Sequence, residues 1–471
     1  MKKMVWVKAL LGALILAGSL PLQGQGNVTS DADQHFAAAR DFSFTSNPNR
    51  VWSYGYTFGL NNPFSLYTVS GSTHFSGEQG WFGPIGGCCA PGYPLVVAWP
   101  IGTPSVLDMG PGPSSYTVVR WTAPSKKRWD VVGEFFGTGL TTGDVHVLRS
   151  GHSLLDSPVN GSDVVQFSRV VSLAKGGTVD FLAGPGPNGD NGSDPTGFQA
   201  TIAPHLYNFT SLDYPGATDT RLFGINAHSD AVGAYFDSAG NPHGVRFSNG
   251  TWKVLEPAGA VLSQARGIND AGTITGYYQE SSGAMHGYVF QNGGFSSFDV
   301  PGAVHSQGLG INNRGDVVGA YDTGDINTSI GFVLRNGRFT SFEVPGSAPG
   351  TTAALGINDE GKVAGIYGDA QGDSFGFLRS GGTYRTIDLP PGGGTLATGV
   401  NEDGRVVGNY FPGDGSGTHG FVYSRSGATI VDYPALMSRT RVRGINEDGV
   451  IVGFYSPDGS TIHAFVGKPE D

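Results

Sequence analysis

Apolar and polar positions alternate along this chain in short runs, and from Tyr207 onward no helical spacing is present. Tyr116–Ala123, Asp144–Leu148 and Thr178–Leu182 read with period two, which puts successive side chains on opposite faces of a strand. Gly, Pro, Asn and Ser, the residues that tight turns need, separate such runs. After Tyr207 the pattern becomes a repeat. Gly-Ile-Asn recurs at Gly224, Gly267, Gly310, Gly356 and Gly444, with Gly-Val-Asn at Gly399, at spacings of 43, 43, 46, 43 and 45 residues. Each copy continues through a polar turn to a strand such as Thr273-Ile-Thr-Gly-Tyr-Tyr278. An acidic loop, a strand such as His286-Gly-Tyr-Val-Phe290, an Asn-Gly type turn and a strand such as Phe295-Ser-Ser-Phe298 complete it.

Four strands in about 43 residues make a propeller blade. A lone blade exposes two apolar faces, so the copies must stack and the array must close. The last copy ends at His463-Ala-Phe-Val466 without its fourth strand. Tyr207-Asn-Phe-Thr-Ser-Leu-Asp-Tyr-Pro-Gly216, ahead of the first copy, reads as that strand. The expectation is a six-bladed β-propeller over 205–471, closed by its own N-terminal strand. Residues 27–204 show no repeat but many strand and turn signals, and predict a β-sandwich of jelly-roll type. The fold class is therefore all-β, in two domains.

Gly-Ile-Asn-x-x-Gly-x-x-x-Gly followed by His-Gly-Phe or His-Ala-Phe resembles the HAF-repeat family of bacterial extracellular proteins. His463-Ala464-Phe465 is the literal signature, and His243, His286 and His419 begin variants, while Ile330 and Phe375 depart from it. The resemblance covers about 205–467 and implies a secreted repeat domain without implying an activity. In the first domain, Trp52–Tyr56, Val119–Pro124, Thr142–Val147 and Thr178–Phe181 resemble the N-terminal sandwich of secreted PEP-CTERM-type proteins, whose sorting tail is missing here. Such sandwiches look like carbohydrate-binding jelly rolls, a likeness of shape.

Composition agrees with strands and turns: 77 Gly, 28 Pro and 11% aromatic residues among 38% apolar ones. Lys2, Lys3 and Lys8 precede the apolar run Ala9–Leu20, so residues 1–26 read as a signal peptide, too short to span a bilayer. A mature protein outside the cytoplasm follows, extracellular or periplasmic. The net charge is −11, with 9 Lys/Arg against 13 Asp/Glu in 27–204 and 16 against 26 in 205–471. An acidic surface on both halves argues against nucleic acid and anionic membrane as partners. The two cysteines, Cys88 and Cys89, are neighbours. Their Cα atoms, about 3.8 Å apart, are closer than an ordinary disulfide allows, so a vicinal bridge and two free thiols both stay open.

Several groups carry candidate chemistry. Asn188, Asp190 and Asp194 place oxygens at alternating positions, which suits Ca²⁺, although the closing Glu of the twelve-residue loop is missing. Trp52, Tyr54 and Trp81, with Tyr56, Phe82 and Tyr93, form a candidate sugar-stacking platform or else a sandwich core. The repeated histidines could serve a metal only by converging on the axis, and read better as strand-start residues bonding a neighbouring turn. The repeated Asn226, Asn269, Asn312, Asn358, Asn401 and Asn446 read as turn residues. Asp213, Asp299, Glu343, Asp388 and Asp432, one per blade, read as architecture, since acid–base catalysis needs unlike acids.

One asymmetry breaks the repeat. Three positions before each Gly-Ile-Asn glycine stand Arg221, Gln264, Gln307, Ala353, Leu396 and Arg441. One position before stand Phe223, Arg266, Leu309, Leu355, Thr398 and Arg443. Ring closure would gather Arg221, Arg266, Arg441 and Arg443 on one side as a site for an anionic group. The alternative pairs them with loop acids such as Asp237, Asp458 or Glu280. The chain thus reads as a monomeric secreted binding protein for carbohydrate or another cell-surface or matrix ligand. A carbohydrate-active hydrolase or lyase, and a structural or adhesive envelope protein, are the alternatives. No catalytic motif stands in the sequence.

Overall fold

The computed structural model describes residues 36–43, 45–72, 79–82, 95–98, 106–112, 114–139, 141–186, 196–325, 327–389, 393–412, 417–435 and 439–470. Residues 1–26, Cys88, Cys89, Tyr93, Asn188, Asp190 and Asp194 lie outside these. Among the described residues every regular element is a strand, and no helix is long and apolar enough to cross a membrane. The chain divides into two compact units, one built on 32–205 and the other on 206–433 and 437–471. His205 goes with the first unit: its backbone N–H bonds Arg128 O at 3.0 Å and its Nδ1 lies 2.8 Å from Asp130 Oδ1.

The first unit holds two antiparallel sheets. One runs in the order Val164–Leu173, Lys127–Gly137, Thr196–Pro204, Leu107–Gly110, Leu95–Ala98, Gln79–Phe82 and Val69–Ser72, with Phe36–Ala37 beside Thr196–Pro204. The other runs His152–Gly161, Thr141–Arg149, Thr178–Gly184, Tyr116–Thr122, Trp52–Thr57 and Ser65–Leu66. Trp52, Trp121 and Phe181 from the second sheet meet Trp129, Phe135 and Phe198 from the first in one buried cluster. The rings of Trp121 and Trp129 pack edge to face at 4.9 Å, a geometry the ring quadrupoles favour.

On this unit His146 is clasped between two carboxylates. Its Nε2 lies 2.8 Å from Asp144 Oδ2 and its Nδ1 2.7 Å from Asp156 Oδ1. Burial works against the imidazolium, but both carboxylates outweigh it and raise the His146 pKa. Asp144 is held low against burial by His146, and Asp156 is held low by Ser153 and His146. A raised histidine stabilises the fold below its unfolded value of about 6.5 and loses that contribution as pH climbs through the folded value. The lowered carboxylates contribute above about 3.9 and lose it on acidification. Melting of the first unit is therefore expected to peak between these limits and to fall on alkalinisation. His146→Gln should flatten that alkaline slope and remove about 1.5–3 kcal/mol at pH 5.5. A variant with the parent's slope would assign the slope to other groups.

In the second unit every copy of the repeat forms a four-stranded antiparallel meander. The first is Thr220–Ile225, Ala231–Phe236, Pro242–Ser248 and Thr251–Leu255. A parallel bridge between Met285 and His305 joins the second meander to the third. In the sixth, Arg441–Ile445, Ile451–Tyr455 and His463–Pro469 are followed by Tyr207–Ser211, which pairs with His463–Pro469. The earliest strand of the repeat array thus completes its last sheet.

The Gly-Ile-Asn element explains itself at close range. The asparagine Oδ1 accepts the N–H four residues on at 2.9–3.0 Å, which holds the turn as the sequence implies. Its Nδ2 does more. Asn226 donates to Asn269 O, Asn269 to Asn312 O, Asn312 to Asn358 O, Asn358 to Asn401 O, Asn401 to Asn446 O, and Asn446 back to Asn226 O, all at 3.0–3.2 Å. Six buried amides form a closed circuit.

The six glycines form a second circuit beside it. A Cβ added to Gly224 would lie 3.2 Å from Gly267 Cα, and the same test links Gly267 to Gly310, Gly310 to Gly356, Gly356 to Gly399, Gly399 to Gly444 and Gly444 to Gly224 at 2.9–3.5 Å. Only glycine permits this approach of backbone to backbone. An alanine at Gly356, 2.9 Å from Gly399 Cα, is expected to cost about 1–3 kcal/mol by overpacking, read as a lower melting temperature. An unchanged melt would show that the ring can widen.

The histidines and the acids answer each other. His243 bonds Glu256, His286 bonds Asp299 at 3.0 Å, His419 bonds Asp432 at 2.6 Å and His463 bonds Asp213 at 2.8 Å. Where Phe375 replaces histidine, the matching Asp388 has its pKa raised by burial and by Asp373. These pairs tie the third strand of a repeat to its fourth.

Candidate functional site

The first strand of each repeat carries a β-bulge immediately before its glycine. The register shifts between Leu222 and Gly224, Ala265 and Gly267, Gly308 and Gly310, Ala354 and Gly356, Ala397 and Gly399, and Val442 and Gly444. A bulge takes its residue out of ladder register and re-aims the side chain. The re-aimed residues are Phe223, Arg266, Leu309, Leu355, Thr398 and Arg443, so the variable position of the repeat is the one turned out of the ladder. Arg221 and Arg441 stand two residues earlier, about 6.6 Å further along their strands.

The structure brings the four arginines together around aromatic rings. The Arg266 guanidinium lies 4.0 Å from the centroid of Phe223, and Arg221 lies 4.4 Å from Phe236. Phe454 has three guanidinium groups about it, Arg221 at 5.3 Å, Arg443 at 5.4 Å and Arg441 at 5.8 Å. Cation–π attraction of this kind is strongest where water is thin. Arg443 is only 7% exposed.

Pairing is incomplete. Arg221 donates to both oxygens of Asp219, Nε to Oδ1 at 2.9 Å and Nη2 to Oδ2 at 2.6 Å. Arg266 Nη1 donates to Gln264 Oε1 at 3.2 Å. The Nε atoms of Arg266 and Arg443 are buried with no hydrogen-bond partner among the described residues. The acids offered as alternative partners are engaged elsewhere. Asp237 accepts from Asn241 and His243, Asp458 accepts from Ser460 and Thr461 in its own turn, and Glu280 faces His286 at 4.0 Å.

Electrostatics follow from this packing. Burial lowers the pKa of Arg443 well below the usual guanidinium value, and Arg266, Arg441 and Arg221 add to the depression. Burial also lowers Arg266, and with Arg221 and Arg439 it pushes Arg441 down to about 10. The Tyr277 phenol is raised by burial while Arg266, Arg221 and Arg443 pull the other way, which marks Tyr277 as a member of the site. Away from the arginines the wall turns apolar, where Leu309, Ala320 and Ala353 pack with Tyr277, Leu355 and Ile366. Buried donors without acceptors, and four like charges of which Asp219 answers only Arg221, are unfavourable by themselves. An anion among them would satisfy both, since guanidinium pairs with carboxylate in a bidentate fork.

Other candidates fare differently. Trp52, Tyr54 and Trp81 are buried, so they cannot present ring faces to a sugar. Strand Trp52–Thr57 turns Trp52 and Tyr54 inward, and Trp81 Nε1 donates to Ser43 O at 2.6 Å. Trp52, Tyr54, Trp81 and Phe82 are core, Tyr56 is half-buried, and Tyr93 lies outside the described residues. The candidate calcium ligands Asn188, Asp190 and Asp194, and the cysteine pair, fall outside the described residues. Among the described residues no group of three His, Cys, Asp or Glu side chains is placed to hold a metal. A cleft of about 260 Å³ in the first unit is lined by Asn61, Asn62 and Phe64 together with Arg120 and Asp180. Arg120 Nε and Nη2 both donate to Asp180, at 2.6 and 2.9 Å, and its guanidinium lies over Phe64 at 4.1 Å, so that charge is already answered.

Sequence reasoning missed Tyr277 and Phe454, which lie in strand positions that look like core. It also missed the glycine circuit. The histidine–acid pairs left a signal, a constant interval of 13 residues from His243 to Glu256, His286 to Asp299 and His419 to Asp432.

No family model matches the chain, and no curated protein does. Among solved structures it is similar to the SapL1 lectin in complex with α-methyl fucoside, at 14% identity and a TM-score of 0.39, over 54% of this chain and 96% of that one. It is similar to the Aleuria aurantia lectin in complex with α-methyl-L-fucoside at 10% identity and a TM-score of 0.36, over 53% and 93%. TolB from Acinetobacter baumannii aligns at 12% identity and a TM-score of 0.31, over 70% and 64%.

Proposed function

We propose that the chain is a secreted, two-domain binding protein, a sandwich followed by a six-bladed propeller, and that the propeller holds an acidic carbohydrate among Arg221, Arg266, Arg441 and Arg443. One observation carries this reading: in a chain of net charge −11, four guanidinium groups converge, with two Nε atoms buried and unbonded. The half-buried Leu355, packed against Leu309 and Ala353, supplies an apolar face against which the C–H face of a sugar ring can lie. A uronic acid offers both a carboxylate for the fork and such a face.

The test is calorimetric titration of the parent and of Arg221→Ala with Arg441→Ala against acidic and neutral oligosaccharides. The parent is expected to bind the acidic series and to prefer it over the neutral one by at least tenfold. The double variant should lose at least tenfold in affinity for the acidic series alone. Equal affinity of the variant and the parent, or no binding by the parent, would overturn the proposal.

A further inference from the structure

Resting on that reading, we infer that the arginine site takes the terminal residue of an acidic glycan, inserted end-on, and rejects the same residue inside a chain. The argument is the shape of the site below the arginines. Arg266 and Arg443 stand one residue before Gly267 and Gly444, and those glycines belong to the circuit in which backbone meets backbone. The centre of a regular hexagon lies one edge from every corner. Six Cα atoms near a contact distance of about 4 Å therefore leave a bore that admits a water and not a sugar ring. The asparagine circuit lies one further turn along, with each amide spanning from one repeat to the next.

Side chains of neighbouring repeats also meet around the arginines. Arg266 lies over Phe223 of the preceding repeat, Arg221 and Arg443 meet across the closure on the ring of Phe454, and Leu309 packs with Ala353 and Leu355 of the following one. A residue within a polysaccharide needs two exits, one for each glycosidic neighbour, as a groove provides. A cup with a floor provides one. The deepest donors, the Nε atoms of Arg266 and Arg443, can then be met only by a group at the end of a chain.

The experiment uses the full chain and four probes: glucuronic acid, a trisaccharide ending in glucuronic acid, the same trisaccharide with that residue capped by one neutral hexose, and the neutral trisaccharide. The terminal probe is expected to bind at least 30-fold more tightly than the capped one, and the monosaccharide to keep most of the affinity. Arg443→Met should erase the difference by weakening the terminal probe to the level of the capped one. Equal binding of terminal and capped probes overturns the inference and leaves the acidic-glycan reading intact. Failure of every acidic probe overturns that reading, and the inference with it. A terminal preference that survives in Arg443→Met places the selection elsewhere and overturns the inference too.

Discussion

Replacing Arg443 by Met is expected to raise the melting temperature of the second unit while removing the acidic-glycan binding proposed for it. Arg443 is 7% exposed, its Nε has no partner among the described residues, and burial together with Arg266, Arg441 and Arg221 opposes its charge. Its favourable contact is the face of Phe454 at 5.4 Å, which a methionine of similar length can also cover. Exchanging buried charge for apolar volume is often stabilising by about 1–4 kcal/mol. For a unit of this size each kcal/mol moves the melting point by about 2–4 °C, so a rise of several degrees is expected. Opposite signs in stability and binding are the mark of a residue kept for function. A lower melting point would show instead that Arg443 holds the ring together.

How much of this was legible follows from what each feature depends on. The four-strand repeat and the strand Tyr207–Ser211 that completes the last sheet depend on local alternation and turn residues, which the sequence displays. The convergence of the arginines depended on the same count, because two ends of the array had to meet for Arg441 and Arg221 to become neighbours. The bulges were not legible. Ladder pairing skips Phe223, Arg266 and Arg443, and nothing in Arg-Gly-Ile-Asn announces an unpaired residue. The asparagines carried a correct local reading, a turn held by Oδ1, that hid the Nδ2 bond between repeats, since that bond joins residues 43 to 46 apart or, at closure, 220 apart. In the first unit the aromatic cluster looked alike as platform or as core. Only the inward face of Trp52–Thr57 decides between them, and it decides for core.

Replacing Tyr207–Ser211 by five Gly and Ser residues, which keeps the chain length, is expected to unfold or aggregate the second unit at temperatures where the parent is folded. The strand forms the fourth rung of the sixth sheet, paired from Tyr207 with Pro469 to Ser211 with Phe465. Phe209 packs against Phe465 at 5.3 Å and against Tyr433 at 5.3 Å, and Tyr207 is buried. Removing one buried aromatic side chain costs about 3–5 kcal/mol, and here the buried Tyr207 is lost together with the half-buried Phe209. The sum is comparable with the entire stability of a typical domain, about 5–15 kcal/mol. The strand His463–Pro469 would also be left with an open edge of unpaired backbone groups, which invites pairing between molecules. The asparagine circuit passes through the same sixth repeat, where Asn401 donates to Asn446 O and Asn446 to Asn226 O, so loosening that sheet releases two of its six links. Calorimetry and light scattering on the full chain check this, with the first unit's transition as an internal control. Should the replaced chain melt at the parent's temperature and stay monomeric, the circuit is closed by the first strands of the repeats and not by the fourth strand of the last sheet.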